Sequence, residues 1–353
     1  MTSKNIPKLS LNPQVKGNNF DLILKKYNRL RISALNPLKA PTPIISINGV
    51  PISTEGNIMI LSGDSKSGKS ALCNVILAGA ICPIGQQYDG FQGIDIEPNY
   101  QSKAVLHFDT EQSTHQHYKS FKNSILNRVA LSIEPTLYYT YNIREIDISK
   151  YRSMCREIFE SVYKKHNGIH LAVIDGAADF IKSVNDEEES NAIIKFFEQL
   201  AIEFKTPIIL IIHFNPKSEK QRGHLGSQLQ RKAESVIAIK KNEGISYIEP
   251  QLLRNGSNAN IPHIQFSYDE TKGYHISCGV FNKTSKEDEE KKQLEILAKT
   301  VFSDIPMSFT DAINKLTEIT KSSNRTMSTR LKKMVELELV SKSKGKLYSI
   351  NTN

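Results

Sequence analysis

The stretch from Leu61 to Pro83, LSGDSKSGKSALCNVILAGAICP, constrains this chain more than any other. It contains Gly63, Asp64, Ser65, Lys66, Ser67, Gly68, Lys69 and Ser70, a full match to the pattern G-x-x-x-x-G-K-[ST], with Ala71 next. The pattern gains meaning from its flanks. Ahead of it lies Asn57-Ile-Met-Ile-Leu-Ser, a short apolar run between Gly56 and Gly63 that reads as a buried strand. Behind it, residues 71–81 are apolar at helical spacing and stop before Pro83. Strand, glycine loop and helix in that order aim backbone N–H groups and a helix N-terminus at one anion. A chance Gly/Ser loop is the competing reading, and the two correct flanks argue against it. The expectation is a loop from Gly63 to Ala71 that cradles the phosphates of ATP. Lys69 would reach the β- and γ-phosphates and Ser70 would ligate Mg²⁺.

Three further strands follow. Lys103 to Phe108 runs into Asp109-Thr-Glu111-Gln, Ile169 to Ile174 ends in Asp175, and Pro207 to Ile212 ends in His213. Helical patterns fall between them, over 113–130, 147–165 and 187–204. Strands alternating with helices give an α/β fold with a mainly parallel sheet covered on both faces. Ligands of such sheets bind at the C-terminal ends of the strands, where each of these three carries a titratable group. Hydrolysis of a γ-phosphate needs a metal, a group to orient or deprotonate water, and charge stabilisation. Asp175 suits the Mg²⁺ carboxylate, Glu111 the water-orienting base, and His213 a sensor of the γ-phosphate. Glu111 also reads as a helix-capping acid ahead of the next helix, and His213 as a satisfied strand-end histidine.

At this point the chain resembles the RecA-type ATPase core, over roughly Pro43 to Ser277. HFDTEQ resembles the catalytic-glutamate segment of that superfamily, and LAVIDGAADF its Walker B strand. The segment IILIIHFNPK followed by RGHLGSQLQRKAESVIAIKK is similar to the sensor strand and DNA-facing loop of RepA-like and DnaB-like hexameric helicases. IEPQLLRNGSNANIPHIQFSYDETKGYHI resembles the strand pair that carries the arginine finger, and on that match Arg254 is the finger. Leu252 stands where the DnaB pattern has a lysine. The resemblance implies a ring oligomer, a hexamer in these families, with ATP and Mg²⁺ between subunits and single-stranded DNA in the channel. Read without the resemblance, Arg254 is equally an exposed turn charge before Asn255-Gly256.

The segment after His213 is basic and poor in apolar residues, and Lys217, Lys220, Arg222 and Lys232 are candidates for tracking a nucleic-acid backbone. A solvated surface loop is the plain alternative. Past the charge run at 283–292 come three helical patterns and a short hairpin expected to turn at Gly345. That order looks like a winged helix-turn-helix, with Asn324 capping the last helix over a stripe of Leu331, Met334, Val335 and Leu337. Arg325, Thr326, Ser328, Thr329, Arg330 and Lys332 would face duplex DNA, with Lys342, Lys344 and Lys346 on the wing. A protein-docking winged helix fits the same pattern.

The 353 residues suit about two domains at roughly 150 residues each. The expected organisation is an N-terminal segment and linker over 1–42, an ATPase domain over 43–282 and the winged helix over 283–353. Formal net charge is +9, compatible with a polyanionic partner. Cys73, Cys82, Cys155 and Cys278 have no paired spacing, and only His275 lies close in sequence to one of them, so a structural zinc is not expected. Neither a signal peptide nor a membrane span is legible, and a cytoplasmic protein is expected. Two functions remain open from sequence. One is an ATP-driven DNA motor, such as a replicative helicase of a plasmid or other mobile element. The other is a nucleotide-switched, DNA-bound regulator or loader.

Overall fold

The computed structural model describes residues 17–213, 223–258, 261–281, 286–303, 305–343 and 347–351. Contacts divide the chain into residues 1–42 and 43–353. In the first unit, α1 spans Gly17–Tyr27, and one 3₁₀ turn follows at Asn28–Leu30. Leu22, Ile23, Leu24 and Tyr27 on this helix are exposed.

The second unit opens with the antiparallel strands β1 (Pro43–Ile47) and β2 (Val50–Thr54), then β3 (Ile58–Gly63) and α2 (Lys69–Ile81). β4 (Ile94–Ile96) joins the small sheet β2-β1-β4. Next come β5 (Ala104–Asp109), α3 (Thr114–Ser120), β6 (Tyr138–Asn142), α4 (Ile148–His166), β7 (Ile169–Asp175), α5 (Glu187–Phe204) and β8 (Ile208–His213). Then follow α6 (Gly223–Lys232), β9 (Ser235–Asn242), β10 (Ile245–Leu253), β11 (His263–Asp269) and β12 (Tyr274–Phe281). Among the described residues the main sheet has nine strands in the order β12-β11-β10-β9-β3-β8-β7-β5-β6. From β9 to β6 neighbours are parallel, and from β9 to β12 they are antiparallel.

Burial on both faces explains why the parallel strands are continuous apolar runs rather than alternating ones. Every residue of β3, β5 and β7 is buried. One face packs Val105, Leu171, Val173 and Ile209 against α2. The other packs Leu106, Phe108, Ile174 and Leu210 against Phe159 of α4 and Phe197 of α5. Helix starts follow local chemistry: Asp147 caps α4 and Asp186 caps α5, each accepting a backbone N–H, and Glu187, Glu188 and Glu189 complement the α5 dipole.

The helix expected over 113–130 is not one α-helix. After α3 the chain widens into a π-turn at Phe121–Leu126 and tightens to 3₁₀ at Asn127–Val129. Arg128 is thereby buried, and its guanidinium donates to the carbonyls of Asp89 and, at 2.7 Å, His275.

The C-terminal part has α7 (Lys286–Val301), α8 (Phe309–Thr320), α9 (Asn324–Glu336) and the antiparallel pair β13 (Val340–Lys342) and β14 (Tyr348–Ile350). They share a separate core in which Leu294, Leu316, Met327, Leu331 and Met334 are buried, with Val335 and Leu337 at its margin. Ser323, not Asn324, caps α9, because the Ser323 hydroxyl accepts from the Thr326 N–H and Asn324 is already the first helical residue. Arg325, Thr326, Thr329 and Lys332 are exposed, while Ser328 and Arg330 are partly covered. The expected turn at Gly345, with Lys344 and Lys346, lies outside the described residues, as do Lys217, Lys220 and Arg222. No helix among the described residues is long and apolar enough to cross a membrane.

Candidate functional site

Strand register brings the sequence-predicted residues to one edge of the sheet. Gly63 at the end of β3 pairs with His213 at the end of β8, and Asp109 at the end of β5 pairs with Asp175 at the end of β7. The loop after β3 rises into α2 with Lys66 at φ +62° and Gly68 at φ +106°. A Cβ on Gly68 would stand 2.7 Å from the Phe266 ring, and one on Gly63 would stand 2.4 Å from the Ile239 carbonyl oxygen. Both positions therefore demand glycine on packing grounds as well as on backbone grounds.

A cavity of about 590 Å³ opens against this loop, lined by Lys66, Lys69 and Ser70 and by Glu111, Asp175 and His213. Lys69 is largely buried and donates to the carbonyls of Gly63 at 3.0 Å and Asp64 at 2.8 Å. Its Nζ also lies 3.1 Å from Nδ1 of His213, whose Nε2 lies 3.0 Å from Oε1 of Glu111. Burial lowers the Lys69 ammonium pKa, and the charges of Glu111, Asp175 and Asp64 oppose that effect. The hydrogen bond to His213 holds the Glu111 carboxyl below its usual range against its partial burial. Asp175 is 4 % exposed. Burial first, then the charges of Asp109 and Glu111, push its pKa up to about 8, while a Ser70 hydrogen bond works the other way. A divalent cation at Ser70 and Asp175 would remove that penalty by supplying the missing positive charge.

The helix-capping reading of Glu111 is not what the site adopts. Ser113 caps α3 by accepting from the Gln116 N–H, which leaves the Glu111 side chain facing the cavity. The Glu111 backbone is fixed instead by Asp109, whose carboxylate accepts from the N–H groups of Glu111 at 3.0 Å and Gln112 at 2.8 Å. Behind it, Thr110 donates to Asp179 at 2.6 Å and accepts from the Gly176 N–H at 2.9 Å, tying the ends of β5 and β7 together.

The residues present fit a nucleotide with its cation. Gly63 and Gly68 hold the loop in a conformation and packing that exclude a side chain, Lys69 offers an ammonium, and Ser67 Oγ is a buried polar atom without a partner. Sequence reasoning missed Lys241, Tyr268 and His275, which line the same cavity from β9, β11 and β12. A second cleft of about 380 Å³ shares Tyr268 and His275 and continues past Asn74, Gln112 and Gln116. Only the sheet pairing of those late strands reveals these residues. Lys272 at the β11–β12 tip bonds Asp89 at 2.6 Å, and Arg128 stacks 4.3 Å from the Tyr274 ring, which anchors this wall.

Arg254 is not among the residues lining the cavity. Its guanidinium donates to the carbonyls of Arg231 at 3.0 Å and Lys232 at 3.2 Å, at the C-terminus of α6. Lys232 itself pairs with Glu198 at 3.5 Å.

No protein-family model matches the chain. No curated protein matches it. Among solved structures it is similar to a KaiC-like protein from the hyperthermophilic archaeon Pyrococcus horikoshii, with a TM-score of 0.44 and 13 % identity, covering 69 % of this chain and 100 % of that one.

Proposed function

We propose that the chain is an ATP-hydrolysing enzyme of the RecA-like type that works on DNA as an oligomer, a ring helicase or a helicase-like motor. The observation that carries this reading is the convergence of Lys69, His213, Glu111 and Asp175 on one cavity beside the glycine loop. ATP and Mg²⁺ supply a transferable phosphoryl group and the positive charge that accommodates its departure. The loop from Gly63 to Ala71 binds the phosphates through backbone N–H groups, and Lys69 exchanges its loop carbonyls for phosphate oxygens. Ser70 and Asp175 hold the cation. Glu111 takes the proton of an attacking water, and His213, between Glu111 and Lys69, links the state of the base to that of the phosphate lysine. Tyr268 and His275 line the same cavity from β11 and β12.

Arg254 acts in trans in this reading, since it lies off its own cavity on the carbonyls of α6. The basic segment 214–222 and Lys232 track single-stranded DNA. The three helices and hairpin at the C-terminus form a winged helix-turn-helix that grips duplex DNA with Arg325, Arg330, Lys332 and Lys342, together with Lys344 and Lys346. The exposure of Arg325, Thr326, Thr329 and Lys332 on one helix supports that part. The same feature favours a second reading, a DNA-bound regulator or loader in which nucleotide sets assembly. Phosphate release with and without single-stranded DNA separates the two. A motor is stimulated by the strand, whereas a regulator keeps one slow rate under both conditions.

A further inference from the structure

Adjacent strand ends place two buried carboxylates side by side, Asp109 with no exposure and Asp175 with 4 %. Two anions in so dry a setting repel strongly unless positive charge is shared between them. Among the described residues no lysine or arginine is in ion-pair contact with either, the Lys69 ammonium acts on Asp175 only from farther off, and the cationic candidate nearest Asp109 is His117, 3.9 Å away. A third donor stands in the same place. His107 precedes Asp109 by two residues, so both side chains project from one face of β5, the face covered by α2. Ligand atoms of His107, Asp109 and Asp175 all lie within 4.8 Å of one another.

The His107 ring is 3 % exposed, and its Nε2 has no hydrogen-bond partner. A buried, unpartnered ring nitrogen beside two carboxylates asks for a ligand. The surroundings are built to hold these donors. Nδ1 of His107 lies 3.0 Å from the Thr140 hydroxyl, which is itself 2.7 Å from Nε2 of His117. Such outer hydrogen bonds fix the ring and tautomer of a metal-binding histidine. Asp109 is oriented by the N–H groups of Glu111 and Gln112.

We propose that His107, Asp109 and Asp175 form a buried site for a divalent first-row transition ion, separate from the cation that Ser70 and Asp175 would hold for a nucleotide. One imidazole with two carboxylates is a mixed nitrogen and oxygen donor set, suited to Zn²⁺ or Mn²⁺ rather than to Ca²⁺. Asp175 serves both positions through its two oxygens. The ion neutralises the carboxylate pair and stiffens the segment from Asp109 to Gln112 that carries Glu111.

The test uses the full chain and no nucleotide, so it succeeds or fails independently of the ATPase reading. Protein stripped with a chelator is loaded with Zn²⁺ or Mn²⁺, passed through gel filtration and assayed for metal. The wild type should retain one ion per chain. His107→Ala should bind at least about tenfold more weakly, Thr140→Val about tenfold more weakly, and His170→Gln, which changes a buried histidine outside the cluster, within about threefold of wild type. X-ray absorption of the Zn²⁺-loaded wild type should show one imidazole nitrogen at about 2.0 Å, a readout that needs no variant to fold. Failure of the wild type to retain an ion, retention by His107→Ala, a loss in His170→Gln as complete as in His107→Ala, or a metal shell without imidazole would each overturn the proposal.

Discussion

Nε2 of His213 lies 3.0 Å from the Glu111 carboxylate, and the other nitrogen of the same ring lies 3.1 Å from the Lys69 ammonium. One imidazole thus connects the proposed base to the proposed phosphate-binding lysine. A neutral imidazole has one donor and one acceptor, which matches an ammonium on one side and a carboxylate on the other. His213→Ala should leave nucleotide affinity within about threefold and cut hydrolysis by about ten- to a hundredfold, because Glu111 loses its support while Lys69 keeps its bonds to the Gly63 and Asp64 carbonyls. Steady-state phosphate release together with equilibrium nucleotide binding reads both quantities.

Gly68→Ala tests the loop geometry. A left-handed backbone costs a residue with a side chain about 1–2 kcal/mol. The new methyl group would also stand 2.7 Å from Phe266, a ring that stacks on Phe91 at 4.6 Å. Overpacking of this kind adds about 1–3 kcal/mol. The expected outcome is a lower denaturation midpoint and weakened nucleotide binding, read by urea titration and by calorimetry. Gly244→Ala is a suitable control, because nothing lies within 4 Å of its added Cβ, although its φ of +86° carries the backbone part of the cost.

Buried histidines set a pH dependence of stability remote from the catalytic chemistry. His170 is 5 % exposed, with Nε2 2.8 Å from the Glu97 carbonyl oxygen, and burial lowers its pKa to about 4. The folded state therefore binds fewer protons than the unfolded state between about pH 4 and the ordinary histidine value near 6.5. Stability from this group is complete above about pH 6.5, falls as the pH drops, and is lost by about pH 4, on the order of 3 kcal/mol in all. His170→Gln keeps a donor for Glu97 and should flatten that part of the profile in denaturant titrations from pH 4 to 7. An unchanged slope would mean that His170 is not the titrating group.

Arg254→Ala tests assembly. Removing the guanidinium from the α6 carbonyls should leave nucleotide binding intact and slow hydrolysis by about 10³-fold or more if the arginine serves a neighbouring site. Mixing Arg254→Ala with Lys69→Ala should then restore part of the activity, since a mixed interface joins an intact loop to an intact arginine. Activity proportional to concentration, with no rescue on mixing, would place a complete site within one chain.

Much of this architecture is legible in the sequence, for physical reasons. Parallel strands buried on both faces must be largely apolar, so 58–63, 104–109, 169–175 and 208–213 stand out as near-continuous runs, the last three ending in a titratable residue. The glycine loop is legible because its backbone conformation and tight packing exclude other residues at Gly63 and Gly68. What is hidden depends on pairings between distant segments. Lys241, Tyr268 and His275 reach the cavity only because β9 lies beside β3 and the β11–β12 tip is held by Asp89 and Arg128. The link from His107 through Thr140 to His117 runs across two strands and a helix. Ser323 and Asn324 are both good caps, so local propensity does not choose between the two neighbours. The π-turn after α3 leaves no periodic mark, because it shifts the helical register within a single turn.

The most direct measurement is phosphate release from ATP by wild type and Glu111→Gln, with nucleotide affinity determined on the same preparations. The substitution keeps the size of the side chain and removes the base. Turnover should fall by about 10²–10⁴-fold with affinity within about twofold of wild type. Turnover equal to wild type in Glu111→Gln, or a wild type that binds ATP with Mg²⁺ and never releases phosphate, would contradict the proposed mechanism.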